Sequence, residues 1–223
     1  MDFSPFAVPI ALFVSLTALL LMITHDWRLG TGLLAVQYIG VFSLVAIHWP
    51  LAMAATKLIA GWIASAVLGM AALSIPISQS NAFAGITPSS NLGGRSQSVA
   101  SSYGLNKLFF ILVAILVGMV VLSQLSRVTT LIPGIQVGQA LGGLMLIGLG
   151  LLKLGFADHL LDSILGLLTA FAGFEILYAV IEETPSTAGL VAGVTLSLAF
   201  VGAYLLVAPY MREEENIKLG DKE

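Results

Sequence analysis

Long runs of apolar residues, separated by short polar breaks, dominate this chain. Each run has about 18–23 residues, enough for a helix to cross a hydrocarbon core of roughly 30 Å. Backbone in lipid must satisfy its own hydrogen bonds, so every run is predicted to be helical. The pattern therefore predicts an all-α membrane bundle of about seven transmembrane helices. The predicted helices are Phe6–Ile23, Leu29–Ile47, Leu51–Leu73, Leu108–Leu125, Gln136–Leu154, Leu160–Ile181 and Ala188–Leu206.

One long polar stretch interrupts the pattern. Residues 74–107 are rich in Ser, Gly and Pro, a composition typical of a flexible linker or of a loop folded over the bundle. The stretch divides the chain into an N-terminal three-helix part (1–73) and a C-terminal four-helix part (108–211). A charged tail (212–223) follows.

Composition agrees with a membrane protein. Of 223 residues, 58% are hydrophobic and only 9% are charged, whereas a soluble domain carries about a quarter charged residues. The expected surrounding is therefore a lipid bilayer. The absence of cysteine excludes disulfides and thiolate chemistry, and the net charge of −3 without a basic patch argues against a nucleic-acid partner. No basic segment precedes the first apolar run, so we expect that run to be retained as a span.

Basic residues predict the orientation. Positive charges concentrate on the cytoplasmic side of membrane proteins. With seven spans, Arg127 is the one basic residue on its side of the membrane, with Lys57 set aside as intramembrane. We therefore expect an N-terminus outside and a C-terminus in the cytoplasm, in a multi-pass protein of the plasma membrane. The predicted cytoplasmic side receives Arg28, Arg95, Lys107, Lys153, Arg212, Lys218 and Lys222.

Glycines are spaced for close helix contacts. Gly138 and Gly142, and likewise Gly189 and Gly193, form G-x-x-x-G pairs, which let helix backbones approach. Glycine is also simply frequent in membrane helices, so a single pair is compatible with either interpretation. The clustering predicts that the C-terminal helices pack more tightly.

Two ionisable residues lie deep inside apolar helices. Glu175 is about six residues from the end of the sixth helix, and Lys57 about seven residues into the third, so both lie roughly 9–11 Å below the same border. A central acid costs roughly 2.5–3.5 kcal/mol in lipid. We predict that helices three and six are neighbours and that these residues form an intramembrane ion pair, directly or through water. The alternative is that Lys57 reaches to the border while Glu175 is protonated or meets another subunit.

The helix of Glu175 carries further polar residues at helical spacing. Phe171, Glu175, Tyr178 and Glu182 fall at i, i+4, i+7 and i+11 and so share one face. This face is the candidate lining of a polar path in which Glu175 would relay protons.

The sequence contains few other candidates for catalytic, metal-binding or cofactor-binding residues. Asp158 and Asp162 are typical of a helix N-terminus, where acids are favoured. His25, His48 and His159 lie near predicted borders, where hydration explains them better than a haem does. Nucleotide, zinc and Ser/His/Asp motifs are absent from the sequence. We expect no catalytic residue, no metal and no cofactor.

Some of these segments resemble a known family. The run DWRLGTGLLAVQYIG, the pair Thr56-Lys57 and the run IPISQ are similar to hydrogenase-4 component E, a membrane protein of hydrogenase-4 and formate hydrogenlyase complexes. That family has a basic-leucine start, a glycine and a glutamine in one span, and a Thr-Lys pair in the next. The resemblance adds Gln37 to the candidate polar path.

The C-terminal part resembles the final region of the same family, which is related to the K component of NADH:quinone oxidoreductase. Gly173-Phe174-Glu175 matches a glycine-preceded glutamate, and Leu196-Ser197-Leu198-Ala199 the start of the next helix. Two positions depart from the family. The family's first glutamate corresponds to Phe171 of this chain, and its second acidic residue corresponds to a position near Gly202. The resemblance thus implies at most one proton-carrying residue, Glu175, shifted by a turn.

The expected function is that of an integral membrane subunit in a multisubunit respiratory-type oxidoreductase or cation/proton-translocating complex. Larger membrane subunits would be its partners, and it would have no catalytic chemistry of its own. The other hypothesis is a stand-alone small transporter or a structural membrane protein without a transport role.

Overall fold

The computed structural model describes residues 6–24, 26–74, 99–182 and 184–220. Over these residues the chain forms seven α-helices and no strand, which confirms the all-α prediction. The helices are α1 Ala7–Ile23, α2 Trp27–Val45, α3 Leu51–Leu73, α4 Val99–Leu131, α5 Val137–Gly155, α6 Leu160–Ile181 and α7 Pro185–Gly220.

Six of these helices are long and apolar enough to cross a membrane. The spanning part of α4 is Phe109–Leu131, and that of α7 is Pro185–Pro209. Helix α1 is apolar but shorter, with 17 residues and a length of about 25 Å. The structure thus supports a multi-pass helical membrane protein.

Two helices extend beyond their predicted bounds, whereas the other five agree within two residues. Helix α4 begins at Val99, so the last residues of the stretch predicted as a loop are helical. Helix α7 continues through Pro209 into the predicted charged tail. A helix nucleated by an apolar run extends at little cost into flanking polar residues, because each added residue gains a hydrogen bond. Residues 75–98 lie outside the described residues.

The helices form two layers of three, with α4 at the periphery. One layer contains α1, α2 and α3, and the other contains α5, α6 and α7. Helix α1 packs on α5, α2 on α6, and α3 on α7, while α4 packs mainly on α5. The third and sixth helices were predicted to be neighbours; α3 packs mainly along α2 and α7, and it meets α6 through the side chain of Lys57. The layers therefore place α6 diagonally across from α3.

The closest packing occurs between α5 and α6, where glycine backbones touch. A Cβ added at Gly150 would clash with the Ala170 backbone, and one at Gly173 would lie 2.7 Å from the Ile147 amide nitrogen. Both helices belong to the C-terminal half, which was predicted to pack tightly. The first G-x-x-x-G pair packs on α1, where a Cβ at Gly138 would clash with Ala7.

The second G-x-x-x-G pair behaves differently. Added Cβ atoms at Gly189 and Gly193 would meet nothing within 4 Å. This pair makes no helix contact within the described residues, so here the frequency of glycine in membrane helices is the better explanation.

The chain runs alternately up and down through the bundle. The Trp49 indole, just after α2, donates a 2.8 Å hydrogen bond to the Glu182 carbonyl at the end of α6. We call this side the Trp49 border. At the opposite end, Lys153 near the end of α5 contacts Asp162 near the start of α6. We call that side the Asp162 border.

Candidate functional site

Lys57 and Glu175 meet in the interior of the bundle. Lys57 Nζ lies 3.1 Å from Glu175 Oε1, and both side chains are 1% exposed. Each residue lies six positions from a helix end, which places the pair about 9 Å below the Trp49 border. The long lysine side chain bridges the diagonal between α3 and α6. Lys57 therefore points inward to the carboxylate and does not extend to the border.

A hydroxyl from a third helix completes this contact. Thr195 Oγ1 in α7 donates to Glu175 Oε1 at 2.8 Å and also lies 3.1 Å from the Val191 carbonyl oxygen. The carboxylate thus joins α3, α6 and α7. Sequence reasoning missed Thr195, although a lone threonine within the apolar run GVTLSLAF was an available signal.

Tyr38 of α2 lies beside the pair. Its ring packs against Gly61, where any added Cβ would overlap the ring, and the whole side chain is buried. Its hydroxyl lies near Glu175 and Thr195 without a hydrogen bond of standard geometry. Tyr38 was also missed by sequence reasoning, because only the fold reveals that Gly61 leaves room for an aromatic ring.

Gln37, the neighbour of Tyr38, is fully buried in α2. Neither of its amide atoms has a hydrogen-bond partner in the described part of the chain, and the same is true of Glu175 Oε2. Buried polar groups in proteins are almost always hydrogen-bonded, so such a cluster calls for a functional explanation.

Tyr178 and Glu182 are not in contact with the ion pair. Tyr178 is half-buried and stacks on Phe174, with ring centroids 5.6 Å apart, and Phe174 is 46% exposed. Glu182 ends α6 and accepts the Trp49 hydrogen bond through its backbone carbonyl. Glu175 turns into the bundle, whereas the aromatic rings next to it on the helix turn towards the outside.

Trp49 covers the pair on its border side. Its indole is 3% exposed, and Lys57 Nζ lies 6.0 Å from the ring centroid. This is the distance range of a cation–π interaction. The hydrogen bond to Glu182 holds the indole in place. Trp49 was predicted only as an aromatic residue at a membrane border, yet here it separates the ion pair from the outside.

A second ion pair lies at the opposite border. Lys153 Nζ contacts Asp162 Oδ1 at 2.6 Å, with side chains 6% and 19% exposed. Asp162 occupies the first turn of α6 as predicted, but the lysine partner was not foreseen. His159 lines a small hollow beside this pair.

The remaining histidine predictions concern His25 and His48. His25 lies outside the described residues. His48 Nδ1 lies 2.9 Å from the Gln139 amide nitrogen, and its Nε2 lies 3.2 Å from the Gly134 carbonyl oxygen. Across the residues that the structure describes, no group of three or more His, Asp or Glu side chains could hold a metal ion.

The Lys57–Glu175 pair can exist in two protonation states. It is either an ammonium facing a carboxylate or a neutral amine facing a carboxylic acid. The charged state requires desolvation of two ions, which Coulomb attraction offsets only partly in a bundle interior. The neutral state removes that desolvation cost. The two states hold the same number of protons, so exchange between them is a proton transfer from one partner to the other. Uptake or release of a proton changes the net charge of the pair.

Comparison with known proteins adds no relative. No family model, curated protein or solved structure matches the chain. The resemblance to hydrogenase-4 component E therefore depends on the short motifs around Gln37, Lys57 and Glu175 alone.

Proposed function

We propose that this chain is an integral membrane subunit of a multisubunit respiratory-type oxidoreductase or cation/proton-translocating complex, in which Glu175 relays protons. The observation that carries the proposal is the buried contact of Glu175 with Lys57 and Thr195. Ionisable residues within membrane helices generally mark ion or proton pathways. The short motifs shared with hydrogenase-4 component E favour larger membrane subunits as partners.

Glu175→Gln tests the relay. The substitution keeps the shape of the side chain and removes its titration. Proton translocation per assembled complex should fall in reconstituted vesicles, with electron transfer or counter-ion transport measured in parallel. Glu182→Gln is the matched control, because this carboxylate lies at the border directly after the same helix, and it should leave translocation unchanged.

Unchanged translocation in an assembled Glu175→Gln complex would reject the relay and leave the pair a structural role. Removing one partner of a buried pair can also prevent assembly. The double variant Lys57→Met/Glu175→Gln is then measured instead, because it leaves no buried charge unpaired.

Co-purification from native membranes tests the subunit proposal. Recovery with larger membrane subunits supports it. Recovery as a homodimer favours the stand-alone transporter or structural protein.

A further inference from the structure

Four buried polar groups along α2 and α6 lack a hydrogen-bond partner among the described residues. They are the Gln37 amide, the Tyr38 and Thr169 hydroxyls, and the Glu175 Oε2 atom. None of these residues is more than 2% exposed. Unpaired polar atoms are costly inside a bundle surrounded by lipid, and bound water is the usual partner of such groups.

The packing of α2 on α6 sets the relative heights of these groups. Gly30 lies opposite Leu165, since a Cβ at Gly30 would be 3.0 Å from Leu165 Cδ1. From that level towards the Trp49 border, a rise of 1.5 Å per residue places Thr169 at about 6 Å and Gln37 at about 10 Å. Glu175 follows at about 15 Å. One water bridges groups roughly 5.5 Å apart, so these steps suit single bridging waters.

A hollow at the Asp162 border leads to the same level. Asp26, His159 and Asp162 line it near the border, and its inner end is formed by Gly30 and Leu165. Thr169, the first unpartnered group, therefore lies about 6 Å beyond the inner end of the hollow. Among the described residues, the Leu165 side chain is the one that a Cβ at Gly30 would meet within 4 Å.

The Trp49 border is closed in comparison. The buried Trp49 indole lies over Lys57 and is held by its hydrogen bond to the Glu182 carbonyl. Lys57 and Thr195 both contact Oε1 of Glu175, so Oε2 is the carboxylate oxygen left for another partner.

We propose that the α2–α6 interface holds a chain of bound water that gives Glu175 access to the Asp162 border alone. The water would hydrogen-bond to Thr169, Gln37 and Tyr38 and end at Oε2 of Glu175. A proton arriving along the chain bonds to Oε2 of the carboxylate. In the relay this proton does not return by the same route: the carboxylic acid transfers a proton to a neutral Lys57 amine, 3.1 Å from Oε1, and Glu175 is again a carboxylate. This route rests on the proposed relay function of Glu175 and specifies the membrane border from which protons reach Glu175.

Thiol labelling tests the route directly, because the chain contains no cysteine. Thr169→Cys and Gln37→Cys are reconstituted in vesicles and exposed on one side to Ag⁺, a thiol-reactive ion small enough to follow a single file of water. The thiols that remain are measured with a maleimide after solubilisation. Ala64→Cys in α3 is the matched control, since Ala64 is fully buried at a similar depth. Asp158→Cys and Ser186→Cys mark the Asp162 border and the Trp49 border respectively.

Water-accessible thiols react far faster than buried ones, so both path variants should react at least about tenfold faster than Ala64→Cys from the Asp158 side. Reaction no faster than that of Ala64→Cys, or faster from the Ser186 side, would overturn the route.

The wild-type protein provides a measurement that needs no folded variant. In radiolytic hydroxyl-radical footprinting the radicals form from bound water in place, so Tyr38 should be oxidised faster than the equally buried Leu68, after correction for intrinsic side-chain reactivity, as read by mass spectrometry. Oxidation of Tyr38 no faster than that of Leu68 would overturn the bound water.

The experiments distinguish a failure of the water route from a failure of the proton relay by Glu175. If the path variants are labelled and the Glu175→Gln complex translocates protons as the wild type does, the route is upheld and proton transfer by Glu175 is rejected. Loss of translocation in Glu175→Gln without labelling of the path upholds the relay and rejects this route.

Discussion

At the scale of single residues, the candidate site depends on one carboxylate held by donors from two other helices. Glu175 Oε1 accepts from both Lys57 and Thr195. A hydrogen bond to a charged group is worth about 1.5–3 kcal/mol, more than one between neutral groups. Thr195 therefore stabilises the charged form of Glu175 inside the bundle.

Thr195→Val removes this donor while keeping the shape of the side chain. We expect the free energy of unfolding in detergent to fall by roughly 1–3 kcal/mol. Ser197→Ala is the control, since Ser197 is exposed on the same helix and bonds only to the Gly193 carbonyl of its own helix. A loss for Thr195→Val no larger than for Ser197→Ala would contradict the assigned hydrogen bond.

The sequence predicts some of these residues and not others for a physical reason. Lys57 and Glu175 stand out because a charge within an apolar run is costly wherever the helices lie. Thr195 and Tyr38 are compatible with any membrane helix, so only their packing beside Glu175 marks them. Tyr178 shows the reverse case, since helical spacing groups it with Glu175 while its side chain stacks on Phe174.

At the scale of helices, glycine determines how closely α5 and α6 approach. Gly150, Gly166 and Gly173 lie where any added Cβ would come within 3.0 Å of the other helix. Without a hydrophobic driving force in lipid, association depends on such close packing. The α5–α6 hairpin in turn positions α6 and its carboxylate.

Substitutions at two glycines should have opposite effects on stability. Gly150→Ala forces a methyl group against the Ala170 backbone, and such overpacking typically costs about 1–3 kcal/mol. Gly189→Ala meets nothing within 4 Å and should be neutral or gain up to about 1 kcal/mol from helix propensity. Equal losses at both positions, measured by unfolding in detergent, would contradict the assigned α5–α6 interface.

Helix positions follow from the sequence more reliably than helix contacts do. The apolar runs predict the bounds of five helices to within two residues, because the hydrocarbon thickness sets the length of a membrane-spanning helix. The G-x-x-x-G pattern is identical at Gly138 and Gly189, yet only Gly138 meets another helix. Which face of a helix is covered depends on the arrangement of the whole bundle, and one helix does not encode it.

At the scale of the whole molecule, the ion pair links the two helix layers. Lys57 belongs to the α1–α3 layer, and Glu175 and Thr195 belong to the α5–α7 layer. The sequence places both charges at the same depth, and the structure shows them in contact, although α3 packs mainly on α2 and α7 and meets α6 through Lys57. Depth follows from counting residues along one helix, whereas lateral position does not.

The central claim is that two buried charges across these layers depend on each other. A cycle of Lys57→Met, Glu175→Gln and the double variant, read as the free energy of unfolding in detergent, measures this dependence. Each single variant should lose about 3–5 kcal/mol because the remaining group is buried and unpaired, and the double variant should lose clearly less than the sum. Additive losses in the double variant would contradict the claim.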